Sequence, residues 1–255
     1  MKQLLVKISN IQQKTPTIFQ LSFQSPEVAQ TVKPAQFIHI KLEKPAILRR
    51  PFSVHSVGPK NQVDILFRVV GKGTLLLKRK KPGQNLDILG PLGNGFMMPQ
   101  KESDDNIIIG GGMGVAPLFF LSQRLSQVSR KIKILLGAKT AEDLLIAQKL
   151  EANGYRVAVA TDDGSAGVKG SVLDLLPPEA VSDKNTNIYA CGPRAMFKKL
   201  KMQLPEDKQL RCQVSFEQFM GCGVGICLGC AVNTTSGYKR ACKEGPVFNL
   251  SELEL

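Results

Sequence analysis

The run Asn106-Ile-Ile-Ile-Gly-Gly-Gly-Met-Gly-Val-Ala-Pro117 reads as a short buried strand that ends in glycines and passes into an apolar helix reaching about Leu125. A strand entering glycines and then a helix leaves backbone N–H groups and a positive helix end beside the turn, an arrangement suited to a pyrophosphate. Gly112 and Gly114 are the candidate cradle; glycine-rich turns of this kind also arise for packing alone. The run is not the dinucleotide fingerprint G-x-G-x-x-G, because Gly112-Met-Gly114-Val-Ala-Pro117 ends in proline. Pro117 is expected in the first helical turn, where no N–H is needed.

The alternation continues downstream. Lys131–Gly137 reads as a strand, Ala141–Asn153 as a helix and Arg156–Thr161 as a strand; Ser171–Leu176 begins a helix and Asn187–Ala190 is a further strand. Strands alternating with helices predict a parallel sheet wrapped by helices. Ala190-Cys-Gly-Pro-Arg-Ala-Met196 follows a strand and opens a helix, so it belongs at the carboxyl edge of that sheet, where ligands bind. Cys191 and Gly192 are candidates to lie beside a nicotinamide ring; a buried cysteine acting as a small hydrophobe is the alternative. In Thr161-Asp-Asp-Gly-Ser165, Asp162 or Asp163 can accept from ribose hydroxyls and repel a 2′-phosphate, favouring NAD over NADP; a plain Asp-Gly turn is the alternative.

Upstream, residues 1–99 read as β structure. Apolar segments recur at Leu4–Ile11, Thr17–Phe23, Gln36–Leu42, Phe52–Val57, Val63–Val70 and Asn85–Leu89. Turn signals stand between them at Ser25-Pro26, Lys44-Pro45, Gly58-Pro59, Pro82-Gly83 and Gly90-Pro91. This spacing predicts a small closed barrel interrupted by one helical piece, Thr74–Arg79. Arg49-Arg-Pro-Phe-Ser53 offers an arginine (Arg50) for a phosphate, a ring (Phe52) for stacking and a hydroxyl (Ser53) for a ring nitrogen. Gly71-Lys-Gly-Thr74 is a second possible phosphate cradle, just after Leu66-Phe67-Arg68. His39 and His55 have no partner nearby in sequence and are read as structural.

The tail carries Cys222-Gly-Val-Gly-Ile-Cys-Leu-Gly-Cys230, then eleven residues, then Cys242. C-x4-C-x2-C…C is the spacing of plant-type iron–sulfur proteins, and we read Cys222, Cys227, Cys230 and Cys242 as ligands of a [2Fe–2S] cluster. Plant ferredoxins place the last ligand further downstream. Zinc sites usually supply two C-x2-4-C pairs, whereas here three cysteines share one glycine-rich loop and the fourth stands alone. Disulfides fit poorly, since nothing else in the chain points to an oxidising compartment.

Length and composition agree with this division. The 255 residues suffice for two domains and an appendage: 1–99 a barrel, 100–211 an α/β domain beginning at the polar linker Pro99–Asn106, and 212–255 a cysteine-rich module. No apolar run has the length of a membrane span, the start reads as a strand rather than a signal peptide, and six cysteines suggest a reducing cytoplasm. The net charge of +13 invites a nucleic-acid reading, but the basic residues are spread along the chain and aromatics are only 6% with no tryptophan. The one dense run, Lys78-Arg79-Lys80-Lys81, reads as a solvated helix end.

The order Arg-Pro-Phe-Ser, Gly-Thr, Gly-Gly-Gly-Met-Gly-Val-Ala-Pro, Cys-Gly-Pro resembles the ferredoxin–NADP reductase superfamily. With the cysteine-rich tail, Gly237-Tyr-Lys-Arg-Ala-Cys242 and Gly245-Pro-Val-Phe248 included, the whole chain looks like the electron-transfer subunit family of NAD-dependent dihydroorotate dehydrogenases. The resemblance implies an N-terminal Greek-key barrel binding FAD, a parallel-sheet domain binding NAD, and a small iron–sulfur module. By position, Arg50, Pro51, Phe52, Ser53, Leu66, Phe67, Arg68, Gly73 and Thr74 would contact FAD. Many superfamily members carry Tyr where Phe52 stands, so a hydrogen bond from that position is lost. The resemblance further implies an FMN-binding catalytic partner that oxidises dihydroorotate, in a heterotetramer of two plus two. Electrons would pass singly through the cluster to FAD and leave as a hydride to NAD⁺. Two alternatives remain at this level: the small subunit of another FAD/[2Fe–2S] NAD(P)H reductase, of ferredoxin:NADP oxidoreductase or sulfide dehydrogenase type, and a zinc-stabilised binding module.

Overall fold

The computed structural model describes residues 1–43, 48–99, 101–183 and 185–255. Six strands close a barrel: β1 (Lys2–Gln13), β2 (Ile18–Gln24), β3 (Phe37–Ile40), β4 (Arg50–Gly58), β5 (Gln62–Arg68) and β6 (Asn85–Leu92), in the order β1-β2-β5-β4-β3-β6. That order, antiparallel throughout, is a Greek key. Two short helices decorate it. α1 (Pro26–Ala29) is capped by the Ser25 hydroxyl, and α2 (Lys72–Lys78) follows β5. The barrel interior is filled by alternate residues such as Leu21, Phe23, Ile38, Ile40, Val54, Ile65 and Ile88, all inaccessible to solvent. The turn expected at Gly90-Pro91 is not one: β6 runs through it to Leu92, and Gly90 packs against Ile38. The Lys44-Pro45 signal lies outside the described residues.

The second unit is a seven-stranded sheet. Its elements are β7 (Asn106–Gly111), α3 (Leu118–Leu125), β8 (Ile132–Ala138), α4 (Ala147–Ala152), β9 (Arg156–Thr161), β10 (Val168–Lys169), α5 (Pro178–Ser182), β11 (Asn187–Cys191), α6 (Arg194–Gln203), α7 (Glu206–Gln209) and β12 (Cys212–Ser215). The order is β10-β9-β8-β7-β11-β12, all parallel. Ile107, Ile108 and Ile109 are buried on both faces, as a central parallel strand requires. The helix expected over Ala141–Asn153 is broken: a 3-10 turn at Ala141–Asp143 precedes α4, and the residues between them are not helical. Where a helix is expected to begin at Ser171–Leu176 there is a single 3-10 turn, Val172–Leu175, capped by Ser171 and Asp174.

The tail adds a hairpin, β13 (Ala231–Thr234) with β14 (Gly237–Arg240), and β15 (Val247–Asn249). β15 pairs antiparallel with β12 at the edge of the seven-stranded sheet. Cys212–Ser215 and Val247–Asn249 are therefore strands of the nucleotide sheet, and a module drawn from 212 onward shares that sheet. Its hydrophobic core is shared too. Cys230, Cys242, Val232 and Phe248 pack with Phe37 and Leu92 of the barrel and with Ile109 and Ile188 of the sheet. The Asn94 amide donates to the Lys243 and Glu244 carbonyls at 3.2 and 2.9 Å, pinning the tail to the barrel.

Candidate functional site

Three candidate sites are built by this architecture, each with residues suited to a different group. The first is on the barrel. β4 pairs with β5 only from Val54–Ile65 to Gly58–Gln62. Beyond that point Arg50–Ser53 pair only with β3, while Leu66–Arg68 pair only with β2. The two strands splay, leaving a cleft edged by main-chain groups. Gly73, in the first turn of α2, faces Arg50 so closely that a Cβ there would lie 3.2 Å from the guanidinium Nε. Arg50 and the start of α2 thus form one positively charged cradle, which fits the pyrophosphate of a dinucleotide. Pro51 and Ser53 are half-buried beside it. The Thr74 hydroxyl accepts from the Val70 and Gly71 N–H groups, so it shapes the loop. Phe52 and Phe67 stack edge to face in the barrel core, and Leu66 is buried against the sheet domain. What Leu66 and Phe67 offer a ring is their backbone edge. Arg68 turns across the domain boundary to Asp143, Nη2 to Oδ1 at 2.7 Å, and its buried Nε has no partner among the described residues.

The second site is a cavity of about 650 Å³ at the carboxyl edge of β7, β8 and β11. This is where the strand order reverses, the place where open α/β sheets bind ligands. Gly112 takes φ +55, and a Cβ on Gly114 would lie 2.4 Å from the Cys191 carbonyl oxygen. The two expected loops, Gly112–Gly114 and Cys191–Gly192, therefore touch backbone to backbone. Pro117 stands at the start of α3, as expected, with its carbonyl accepting from Leu121 N–H. Cys191 itself is buried away from the cavity, and burial pushes its thiol far up, while Gly192 lines the cavity. The aspartates divide their work. Asp163 accepts from the Ser165 N–H and hydroxyl at 2.9 and 2.6 Å, which forms the turn and lowers its pKa. Asp162 lines the cavity. Lys139 and Lys198 line it as well, supplying positive charge for a pyrophosphate. Glu217 also lines it, and desolvation pushes its carboxyl pKa up. These three escaped the sequence reading because they lie on separate loops with no shared motif.

The third site is the cysteine loop. The Cys222 sulfur accepts from the N–H groups of Val224 (3.5 Å), Ile226 (3.3 Å) and Cys227 (3.4 Å), and the Cys242 sulfur accepts from Gly225 N–H at 3.1 Å. Burial pushes the Cys222 thiol up, but the three N–H groups outweigh it and hold the pKa at about 6. Burial and then the hydrogen bond with Cys230, 3.2 Å away, push Cys242 up to about 12. The Cβ atoms missing from Gly221 and Gly229 would sit 3.3 and 3.5 Å from the Cys227 sulfur. Backbone N–H groups aimed at sulfur, with glycines around them, fit an inorganic cluster. No three His, Cys, Asp or Glu side chains among the described residues converge on a single metal position. Four thiolates that share two irons need not converge, because each iron takes two of them. Arg240, unread from sequence, clamps the loop: Nη1 donates to the Gly225 carbonyl at 2.8 Å, and Glu244 holds the guanidinium. That clamp keeps the Glu244 pKa near 2, the Arg240 hydrogen bond being the main cause.

The family described as the iron-sulfur cluster binding domain of dihydroorotate dehydrogenase B matches residues 217–254, and an oxidoreductase NAD-binding domain matches residues 108–201. The "Dihydroorotate dehydrogenase B (NAD(+)), electron transfer subunit" of Desulforamulus reducens is 39% identical over 95% of this chain and 94% of its own length. The protein of the same description from Geobacillus kaustophilus is 38% identical over 93% of each. Among solved structures, one of an NADH-dependent reduced ferredoxin-NADP oxidoreductase superposes with a TM-score of 0.84 at 29% identity, covering 98% of this chain and 90% of the other. A ferredoxin NADP⁺ reductase from Neisseria gonorrhoeae with bound FAD and NADP shares the fold, with a TM-score of 0.66 at 19% identity over 80% of this chain and 90% of its own.

Proposed function

The chain belongs to the family of dihydroorotate dehydrogenase B (NAD(+)) electron transfer subunits, and from that premise we propose that it connects a dihydroorotate-oxidising partner to NAD⁺, using FAD and a [2Fe–2S] cluster. FAD exchanges a hydride with NAD and single electrons with an iron–sulfur cluster, which is why a chain serving both needs a flavin between them. The residues divide accordingly. Arg50 with the start of α2 holds the FAD pyrophosphate, and Pro51–Ser53 and the Leu66–Arg68 edge flank its ring. Gly112, Gly114 and Gly192 hold NAD against the sheet, with Asp162 on its ribose. Cys222, Cys227, Cys230 and Cys242 ligate the cluster, and the loop N–H groups take charge from their sulfurs.

The observation that carries this reading is the docking of the cysteine loop on the barrel wall next to the strand that bears Arg50–Ser53. Hydride transfer between aligned rings needs no general base, so the group that takes the substrate's proton belongs to the partner. We place the partner's docking surface around Cys227, where Phe219 (91% exposed), Ile226 (80%) and Leu228 (63%) form an apolar rim. The partner in this reading is an FMN-binding catalytic subunit, two of each chain making the assembly. The compartment we propose is the cytoplasm, where thiols stay reduced; among the described residues no helix is long and apolar enough to cross a membrane.

The test is Cys227→Ser in the complex. Cluster absorbance and dihydroorotate-driven NADH formation should be lost, while NADH-driven dye reduction through FAD persists. Coupling at the wild-type rate would refute the reading. A second reading, ferredoxin-linked NADP(H) chemistry, has the solved structure at 29% identity behind it. It would win if dihydroorotate failed to bleach the flavin of the complex and reduced ferredoxin succeeded.

A further inference from the structure

His39 is fully buried in β3, and neither ring nitrogen makes a well-formed hydrogen bond among the described residues, although the main chain of Cys222 and Arg49 lies close enough to act on the ring. Leaving a buried polar atom poorly paired costs about 1–3 kcal/mol, so the ring retains capacity for a further partner. The position of the ring limits what that partner is. In the β3–β4 ladder His39 stands opposite Pro51, within the stretch assigned above to FAD. On its other side lies the cysteine loop: a Cβ on Gly223 would fall 2.4 Å from Nδ1 and 2.9 Å from Cε1. Gly223 takes φ +72, so only glycine both adopts that backbone and leaves room for the imidazole. The Phe37 ring meets His39 edge to face at 6.5 Å and the Arg49 guanidinium donates to its backbone carbonyl at 3.3 Å, which fixes the strand. In either charge state an imidazole has at least one N–H to donate.

We propose that His39 is a positioning residue for electron transfer, wedged between the FAD strand and the cluster loop, and that its ring N–H donates to a sulfur of the bound cluster. An N–H···S bond stabilises the reduced, more negative cluster and raises its potential. The inference rests on the reading of the tail as an iron–sulfur module.

The chain has only two histidines, and His55 is occupied elsewhere, with Nδ1 2.6 Å from the Ala116 carbonyl oxygen. Histidine labelling with ¹⁵N therefore reports His39 without interference. In the reduced holoprotein, hyperfine spectroscopy should show a ¹⁵N coupling to the cluster, and His39→Gln should abolish it. An EPR-monitored redox titration supplies the second measurement. His39→Leu should keep iron and acid-labile sulfide at the wild-type level but shift the oxidised-to-reduced ratio at the wild-type midpoint about tenfold toward oxidised, about 59 mV for one electron. His39→Gln, whose amide still donates, should recover at least half of that shift. Absence of any ¹⁵N coupling in wild-type protein overturns the proposal, even if His39→Leu fails to assemble. Equal shifts in the Leu and Gln variants also overturn it, since that marks a packing effect. Wild-type protein without iron would sink the cluster reading itself, whereas full iron without coupling sinks only the role of His39.

Discussion

Gly114→Ala probes the joint that makes the nucleotide site. The added Cβ would lie 2.4 Å from the Cys191 carbonyl oxygen, 2.5 Å from its carbon and 2.6 Å from the Gly192 nitrogen, against the 3.4 Å of ordinary contact. About 1 Å must be found, and both neighbours are main chain at the ends of central strands, which cannot rotate aside as a side chain would. Overpacking of this kind costs roughly 1–3 kcal/mol. For a chain of this size that corresponds to a fall in Tm of about 2–10 °C. The same displacement opens the cradle, and misplacing a bound group by 1 Å costs on the order of 100-fold in rate. The assay pairs thermal unfolding with NADH titration and NADH-driven dye reduction. Gly112→Ala is the control: it has φ +55 but nothing within 4 Å of its would-be Cβ, so it bears only left-handed strain of about 1–2 kcal/mol. If Gly114→Ala bound NADH and unfolded as the wild type does, the two loops would not touch as described.

Asp162→Ser should relax the preference for NAD, raising NADP use by about tenfold, while Asp163→Ala should leave cofactor choice alone and loosen the turn; kcat/KM for both cofactors decides. His55 is buried with a pKa of about 4 against an ordinary 6.5, so the unfolded chain binds its proton first as pH falls. Its stabilising contribution is complete above about pH 6.5 and is lost toward pH 4, at about 1.4 kcal/mol per unit, and His55→Gln should flatten that slope in urea unfolding. Replacing Phe219 and Ile226 together by serine should weaken partner binding at least tenfold, as measured by titration calorimetry, with cluster absorbance unchanged.

The six barrel strands and the central βα units were legible because each is a local pattern: apolar runs bounded by proline and glycine, or a strand entering a glycine turn. The cysteine spacing is local in the same sense. Elements that answer to the fold rather than to their neighbours were not legible. Cys212–Ser215 and Val247–Asn249 are four- and three-residue strands, too short for a period, and exist because β11 offers β12 an edge and β12 offers one to β15. Gly90-Pro91 carries a turn signal but continues a strand, because Gly90 lets β6 pass close to Ile38. At the sites, His39 against Gly223 and Gly114 against Cys191 are contacts between residues far apart in sequence, and no spacing rule announces them.

These same long-range contacts determine how rigidly the parts are held together. β12 runs directly from the nucleotide sheet into the cysteine loop, and β15 returns the chain to that sheet. Between them the loop is held by the barrel, through Asn94 on Lys243–Glu244 and through His39 on Gly223. The cysteines therefore do not sit on a flexible appendage that must find the barrel. Their distance from the Arg50–Ser53 strand is set by a core in which the barrel residues Phe37 and Leu92 belong with Cys230 and Cys242. Electron exchange between neighbouring sites depends on separation. Strand pairing and buried side chains hold that separation, while the rim around Cys227, with Phe219, Ile226 and Leu228, stays exposed.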